Sequence, residues 1–77
     1  MTRLNTIFHP RWSSWEDHEL LLLKKSGHNF SGIAMHLNRP RVAVEQRWHR
    51  LRVVPDIVKQ LEAFGLSHAP YPQEGDC

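Results

Sequence analysis

The chain of 77 residues is poor in most of the features that would widen the range of functions open to it. Its one cysteine, Cys77, excludes an intrachain disulfide and a multi-cysteine zinc site. No apolar run approaches the ~20 residues of a membrane-spanning helix; the longest leucine stretch is Leu20 to Leu23. Met1 to Asn5 lack the apolar core of a secretory signal. The glycines in the basic part, Gly27 and Gly32, stand alone, so no glycine-rich phosphate loop is formed. Six histidines are dispersed rather than clustered, and His18-Glu19 opens a zincin-like pattern that fails because position 22 is Leu22. The serines have no evident base and orienting partner. The expectation is a non-enzymatic protein with no metal and no cofactor. Alternating stretches of β-branched residues are missing as well, which points to an all-α fold.

What is present is an uneven distribution of charge. The whole chain carries a formal +2. Residues 1–52 hold nine basic and four acidic side chains, a net of +5, and residues 53–77 hold a net of −3. Five arginines fall between positions 39 and 52, with Glu45 the one acid among them. Such a concentration is the footprint expected of a polyanionic partner.

Caps and stripes divide the chain. Residues 1–10 read as a flexible N-terminal arm ending at Pro10. A first helix spans about 14–26: Ser13 and Glu16 have capping-box spacing, Glu16, Asp17 and Glu19 suit the positive end of the helix dipole, and Gly27 suits the position just past its end. A second spans 30–37, with Phe30, Ile33, Ala34 and Leu37 on one stripe behind an Asn29 cap. Asn38-Arg39-Pro40 makes a tight connection to a third, 41–53. A fourth, 56–64, carries the stripe Ile57, Val58, Leu61 and Phe64 and stops at Gly65. The helical domain is thus 11–66, and residues 67–77, with Pro70, Pro72 and Gly75, read as a disordered tail.

The third helix has two distinct sides. At about 100° per residue, Val44, Trp48 and Leu51 cluster on one face, while Val42, Glu45, Gln46 and His49 fall within roughly 60° of one another's mean direction on the other. Arg41 and Arg52 flank that outward stripe on one side and Arg50 on the other. Side chains able to reach base edges, bordered by guanidiniums able to reach phosphates, are what a helix needs in a major groove. Arg47 falls at the core edge, where a lone cation is costly, so pairing with Glu16 or Asp17 is expected.

Trp12-Ser13-Ser14-Trp15-Glu16-Asp17, Leu20 and Leu23, Gly27 to Ala34, Leu37, Arg39, Ala43, Val44 and Arg47 to Leu51 resemble the Myb/SANT-like DNA-binding domain. Its three evenly spaced aromatics appear as Trp12, Phe30 and Trp48, 18 residues apart each time. The resemblance implies a three-helix bundle with a helix-turn-helix, extended here by a short fourth helix. It implies double-stranded DNA as partner, transcription regulation as role, and Val42, Glu45, Gln46 and His49 as base-contacting positions. Arg39, Arg41, Arg50 and Arg52, with Arg3 and Arg11 of the arm, become the phosphate contacts. Glu45 departs from the family, whose members carry a basic residue there; a carboxylate accepts from cytosine N4 but is repelled by phosphates. The SANT branch, whose members bind proteins, supplies the alternative: a protein-interaction module, polymerase-associated or otherwise. The stretch is also similar to short bacterial and phage helix-turn-helix regulators of the GcrA type. The expected location is intracellular: nucleoid or cytoplasm in a bacterial or phage setting, nucleus in a eukaryotic one.

Four consecutive leucines wrap roughly 300° of the first helix, more than a three-helix core covers. Leu22 falls where a family member is polar. Either the fourth helix folds over it, the favoured reading, or a protein partner or second copy of the chain docks through Leu22 and the fourth helix.

Overall fold

The computed structural model describes residues 7–72. Four helices follow in order: α1 (Ser14–Lys25), α2 (Phe30–Leu37), α3 (Arg41–Leu51) and α4 (Ile57–Phe64). Among the described residues there is no strand, only an isolated antiparallel bridge between Ser13 and Pro70. No described helix is long and apolar enough to cross a membrane.

Local chemistry explains the ends. The Ser13 hydroxyl accepts from the Glu16 N–H at 3.2 Å and Glu16 Oε1 accepts from the Ser13 N–H at 3.2 Å, a complete capping box. Asn29 Oδ1 accepts from the Gly32 N–H at 2.8 Å to start α2. Asn38 ends α2 in the left-handed region (φ 58°), which asparagine tolerates. That single residue turns the chain toward Pro40, and α3 begins one residue later. The third helix stops at Leu51, two residues earlier than its pattern suggests. The Val54 N–H bonds the Leu51 carbonyl at 3.0 Å, closing a tight turn that puts Val54 into the core just ahead of Pro55. Asp56 also takes a left-handed conformation (φ 52°), so α4 starts at Ile57 rather than at 56.

The core is one cluster: Leu20 from α1, Ile33 and Leu37 from α2, Val44 and Leu51 from α3, Ile57 and Leu61 from α4. Phe30 and Trp48 meet edge to face at 5.6 Å, joining α2 to α3. α4 packs against α1, where His18 Nε2 lies 3.1 Å from Glu62 Oε2. It does not bury Leu22, which stays 39% exposed, because Leu20, Leu21 and Leu23 take the inward directions. The favoured expectation of cover by the fourth helix is therefore corrected.

Both terminal assignments are corrected too, within the described residues. Residues 7–10 are not a free arm: Ile7 is buried, and Phe8 stacks on Tyr71 with ring centroids 4.8 Å apart. Residues 67–72 are not a free tail. They run antiparallel to the start of α1, where the Trp15 N–H donates to the Ser67 carbonyl and the Tyr71 N–H to the Trp12 carbonyl, each at 3.2 Å. Ser14 Oγ accepts from the Ser67 N–H at 2.8 Å and donates to the Gly65 carbonyl at 3.0 Å. These anchors are isolated residues and backbone groups, which make no periodic signal. Residues 1–6, with Arg3, and 73–77 lie outside the described part.

Candidate nucleic-acid interface

Two arginines set the angle of α3. Arg47 is buried and grips Asp17 of α1 with two parallel bonds, Nε to Oδ1 at 2.9 Å and Nη2 to Oδ2 at 2.7 Å. It also donates to the Ile7 carbonyl, and the Tyr71 hydroxyl donates to Asp17 Oδ2. Of the two carboxylates adjacent in the first turn of α1, Asp17 is thus the one that meets Arg47. Burial pushes the Asp17 carboxyl upward, against the opposing pull of the Arg47 and Tyr71 bonds; burial and then the Asp17 charge push the Tyr71 phenol upward. Arg39, in the α2–α3 turn, makes the matching grip on Glu16, with both N···O distances 2.9 Å. Its guanidinium also lies over the Trp12 ring, 4.2 Å from the centroid, and donates to the Arg11 carbonyl. Neighbouring carboxylates on α1 thereby hold the turn and the middle of α3.

The outward side of α3 is bare. Val42, Gln46 and His49 are exposed, Val42 at 55%, and Arg41, Arg50 and Arg52 flank them in the open. Glu45 is half-buried and reaches Arg41 one turn earlier, at 3.2 Å, so the acid and one flanking cation neutralise each other. Arg52 Nε donates to His49 Nδ1 at 3.3 Å, and its guanidinium sits 5.4 Å from the Trp48 centroid. A neutral His49 accepting at Nδ1 carries its proton on Nε2, where it is a donor. The residues expected to contact bases are therefore together on one surface. The expected phosphate set is divided: Arg50 and Arg52 border that surface, Arg11 is exposed near it, Arg41 is shared with Glu45, and Arg39 is held by Glu16.

Sequence reasoning missed two basic side chains. Lys24, read as a complement to the α1 dipole, has its Nζ 4.3 Å from the Phe30 centroid and 5.3 Å from that of Trp48. His9, read only as one of six scattered histidines, lines a cleft with Arg11, Gln46 and Arg50. No spacing rule signals either. Among the described residues, no group of three or more His, Cys, Asp or Glu side chains is arranged to hold a metal ion.

A buried Arg–Asp pair and a capped first helix hold an α2-turn-α3 unit that turns one polar, cation-bordered face outward. No curated protein and no solved structure matches the chain. A family model described as the Myb-like DNA-binding domain matches residues 9–52, the stretch running from the cleft histidine to the end of α3. The chain belongs to the Myb-like DNA-binding domain family.

Proposed function

We propose that the protein binds double-stranded DNA by laying α3 in the major groove, as a non-enzymatic regulator of transcription working inside the cell where DNA is held. The supporting observation is the exposed stripe of Val42, Gln46 and His49 with the guanidiniums of Arg50 and Arg52 on its two sides, neither within ion-pair distance of a carboxylate among the described residues. Gln46 offers the bidentate amide that suits adenine, His49 a single donor, and Val42 an apolar contact for a thymine methyl. Glu45 tethers Arg41 and remains able to accept from a cytosine amino group. Arg11, Arg50 and Arg52 hold phosphates, and Arg41 does so in part. Arg39 acts differently from the expectation: it positions the turn through Glu16 rather than contacting DNA. Arg3, expected as a further phosphate contact, lies outside the described residues.

Titration of random and selected duplexes at two salt concentrations tests this reading. Log affinity should fall with log salt by about 0.9 per phosphate contact. Arg50→Ala should weaken all duplexes alike, whereas Gln46→Ala should change sequence preference. Duplex affinity unaltered by both substitutions would refute the assignment of α3. A second reading rests on Leu22, Phe64 and Leu66, each 39% exposed. It has a protein partner or second copy docked at Leu22 and α4, and it is favoured if duplex affinity is absent at low salt while Leu22→Glu abolishes an association seen by sedimentation.

A further inference from the structure

Beside the outward stripe lies a second surface that the stripe does not explain. The cleft takes His9 and Arg11 from the segment before α1, Gln46 and Arg50 from α3, and Arg39 and Arg47 from beneath the turn and the helix. No acidic side chain among the described residues lines it. Its four guanidiniums are not equivalent. Arg39 and Arg47 give their charge to Glu16 and Asp17. Arg11 and Arg50 are exposed and, among the described residues, have no carboxylate within ion-pair distance. His9 Nδ1 accepts from the Arg11 N–H at 3.1 Å, which fixes the ring and leaves Nε2 to carry a proton.

We propose that this cleft seats one phosphate group, held by the Arg11 and Arg50 guanidiniums with the His9 ring and the Gln46 amide as further donors. On the DNA reading above, on which the source of the phosphate rests, it belongs to the strand beside the groove that α3 enters. Two chain segments remote in sequence then close on the same phosphate and fix the register of the helix along the duplex. The field inside the cleft agrees in sign. Desolvation, and then Arg47, Arg11 and Arg39, hold the His9 ring below its ordinary range, with Asp17 the one group pulling the other way. Arg50 is the remaining charged group of the cleft and comes from α3. A phosphate reverses that field and favours the imidazolium, whose added proton sits on Nδ1 and displaces the Arg11 N–H bond, so binding takes up a proton at His9 and strengthens as pH falls through its midpoint.

The test follows the His9 Cε1 proton of the full chain by NMR against pH, free, with inorganic phosphate, and with saturating duplex. The expected result is a rise of about one pH unit on duplex binding. That rise should be lost in Arg11→Ala and in Arg50→Ala and kept in Arg52→Ala. A duplex bearing one methylphosphonate at the seated position should also lose it. A rise that survives both Arg11→Ala and Arg50→Ala reports a diffuse polyanion field and overturns the seat. If duplex binds with Gln46-dependent preference while His9 does not move, the seat is wrong and the α3 reading stands. If duplex does not bind but inorganic phosphate raises the midpoint through Arg11 and Arg50, the α3 reading is wrong and the oxyanion seat stands. A midpoint moved by neither ligand overturns it.

Discussion

Replacing Asp17 by alanine is the most severe single change that the fold should register. Asp17 is fully buried and Arg47 is 6% exposed, so the substitution strands a buried guanidinium with the neutral Ile7 carbonyl and Tyr71 hydroxyl as polar partners and no counter-charge. Breaking a buried pair by removing one member costs about 3–5 kcal/mol, because the surviving charge keeps its desolvation and loses its attraction. A chain of this length has a stability of roughly 4–12 kcal/mol, so the loss takes a large share of it. Glu16→Ala removes a carboxylate whose pair with Arg39 is about one fifth exposed, together with half of a capping box, and should cost about 1–2 kcal/mol. Urea unfolding followed by tryptophan fluorescence measures both, provided the denaturant slope is unchanged. The double variant Asp17→Ala, Arg47→Met keeps the experiment informative if the single variant does not fold. With no charge left unpaired it should recover much of the loss and still bind duplex, since Arg47 faces the core. A loss below about 1 kcal/mol for Asp17→Ala, or no recovery in the double variant, would refute the assignment of this pair as the anchor of α3.

Tyr71→Phe deletes the hydroxyl that donates to Asp17 and should cost about 1.5–3 kcal/mol, as for a hydrogen bond to a charged group; an unchanged unfolding midpoint would make residues 67–72 dispensable. Glu45→Gln frees Arg41 and removes the acid from the outward stripe. Stability should change by less than about 0.5 kcal/mol, and duplex binding should tighten with a salt slope steeper by about 0.9, which a filter or anisotropy titration detects. His9 has a folded midpoint below that of the unfolded chain, so its contribution to stability is intact above pH ~6.5 and is lost as pH falls toward the folded value. The difference in stability between the native chain and His9→Gln should therefore open on acidification through that window, and parallel curves would contradict the shift.

The legible parts of the fold were those written in local rules. A capping box at Ser13 and Glu16 fixes the start of α1, and a four-residue stripe behind Asn29 fixes α2 with the same bounds that the pattern predicts. The helical wheel also places Arg47 at the core edge, where a cation demands a carboxylate, and of the two acids expected, Glu16 and Asp17, it is Asp17 that receives it. Arg39 shows the limit of the same reasoning. Nothing in its neighbourhood distinguishes a phosphate-reaching side chain from one held by Glu16 and lying over Trp12, because those partners are 23 and 27 positions away. Residues 67–72 failed for a related reason. Their attachment depends on the hydroxyl of Ser14, a residue that reads as an ordinary first-turn serine, and on one tyrosine in a proline-containing stretch. His9 acquires meaning only when the segment before α1 is folded back against α3.

The structure also changes what the basic cluster means. Of the five arginines between 39 and 52, Arg39 and Arg47 are turned inward to Glu16 and Asp17, and Arg41 is tied to Glu45. Arg50 and Arg52 have no carboxylate within ion-pair distance among the described residues, and they stand on opposite borders of the stripe. The count that suggested a polyanion partner therefore mixes two roles, orientation of α3 and, on the reading proposed above, contact by α3. They are served by adjacent residues because a helix presents a different side every ~100°. The two acids that receive the inward arginines lie in the first turn of α1, where carboxylates are already favoured by the helix dipole, so the anchoring pairs form at a place where negative charge is least costly. With so few free cations on α3, the proposed register on a duplex would need help from outside that helix. Arg11 and His9, brought alongside by the packing of Ile7 and Phe8, stand where such help is required.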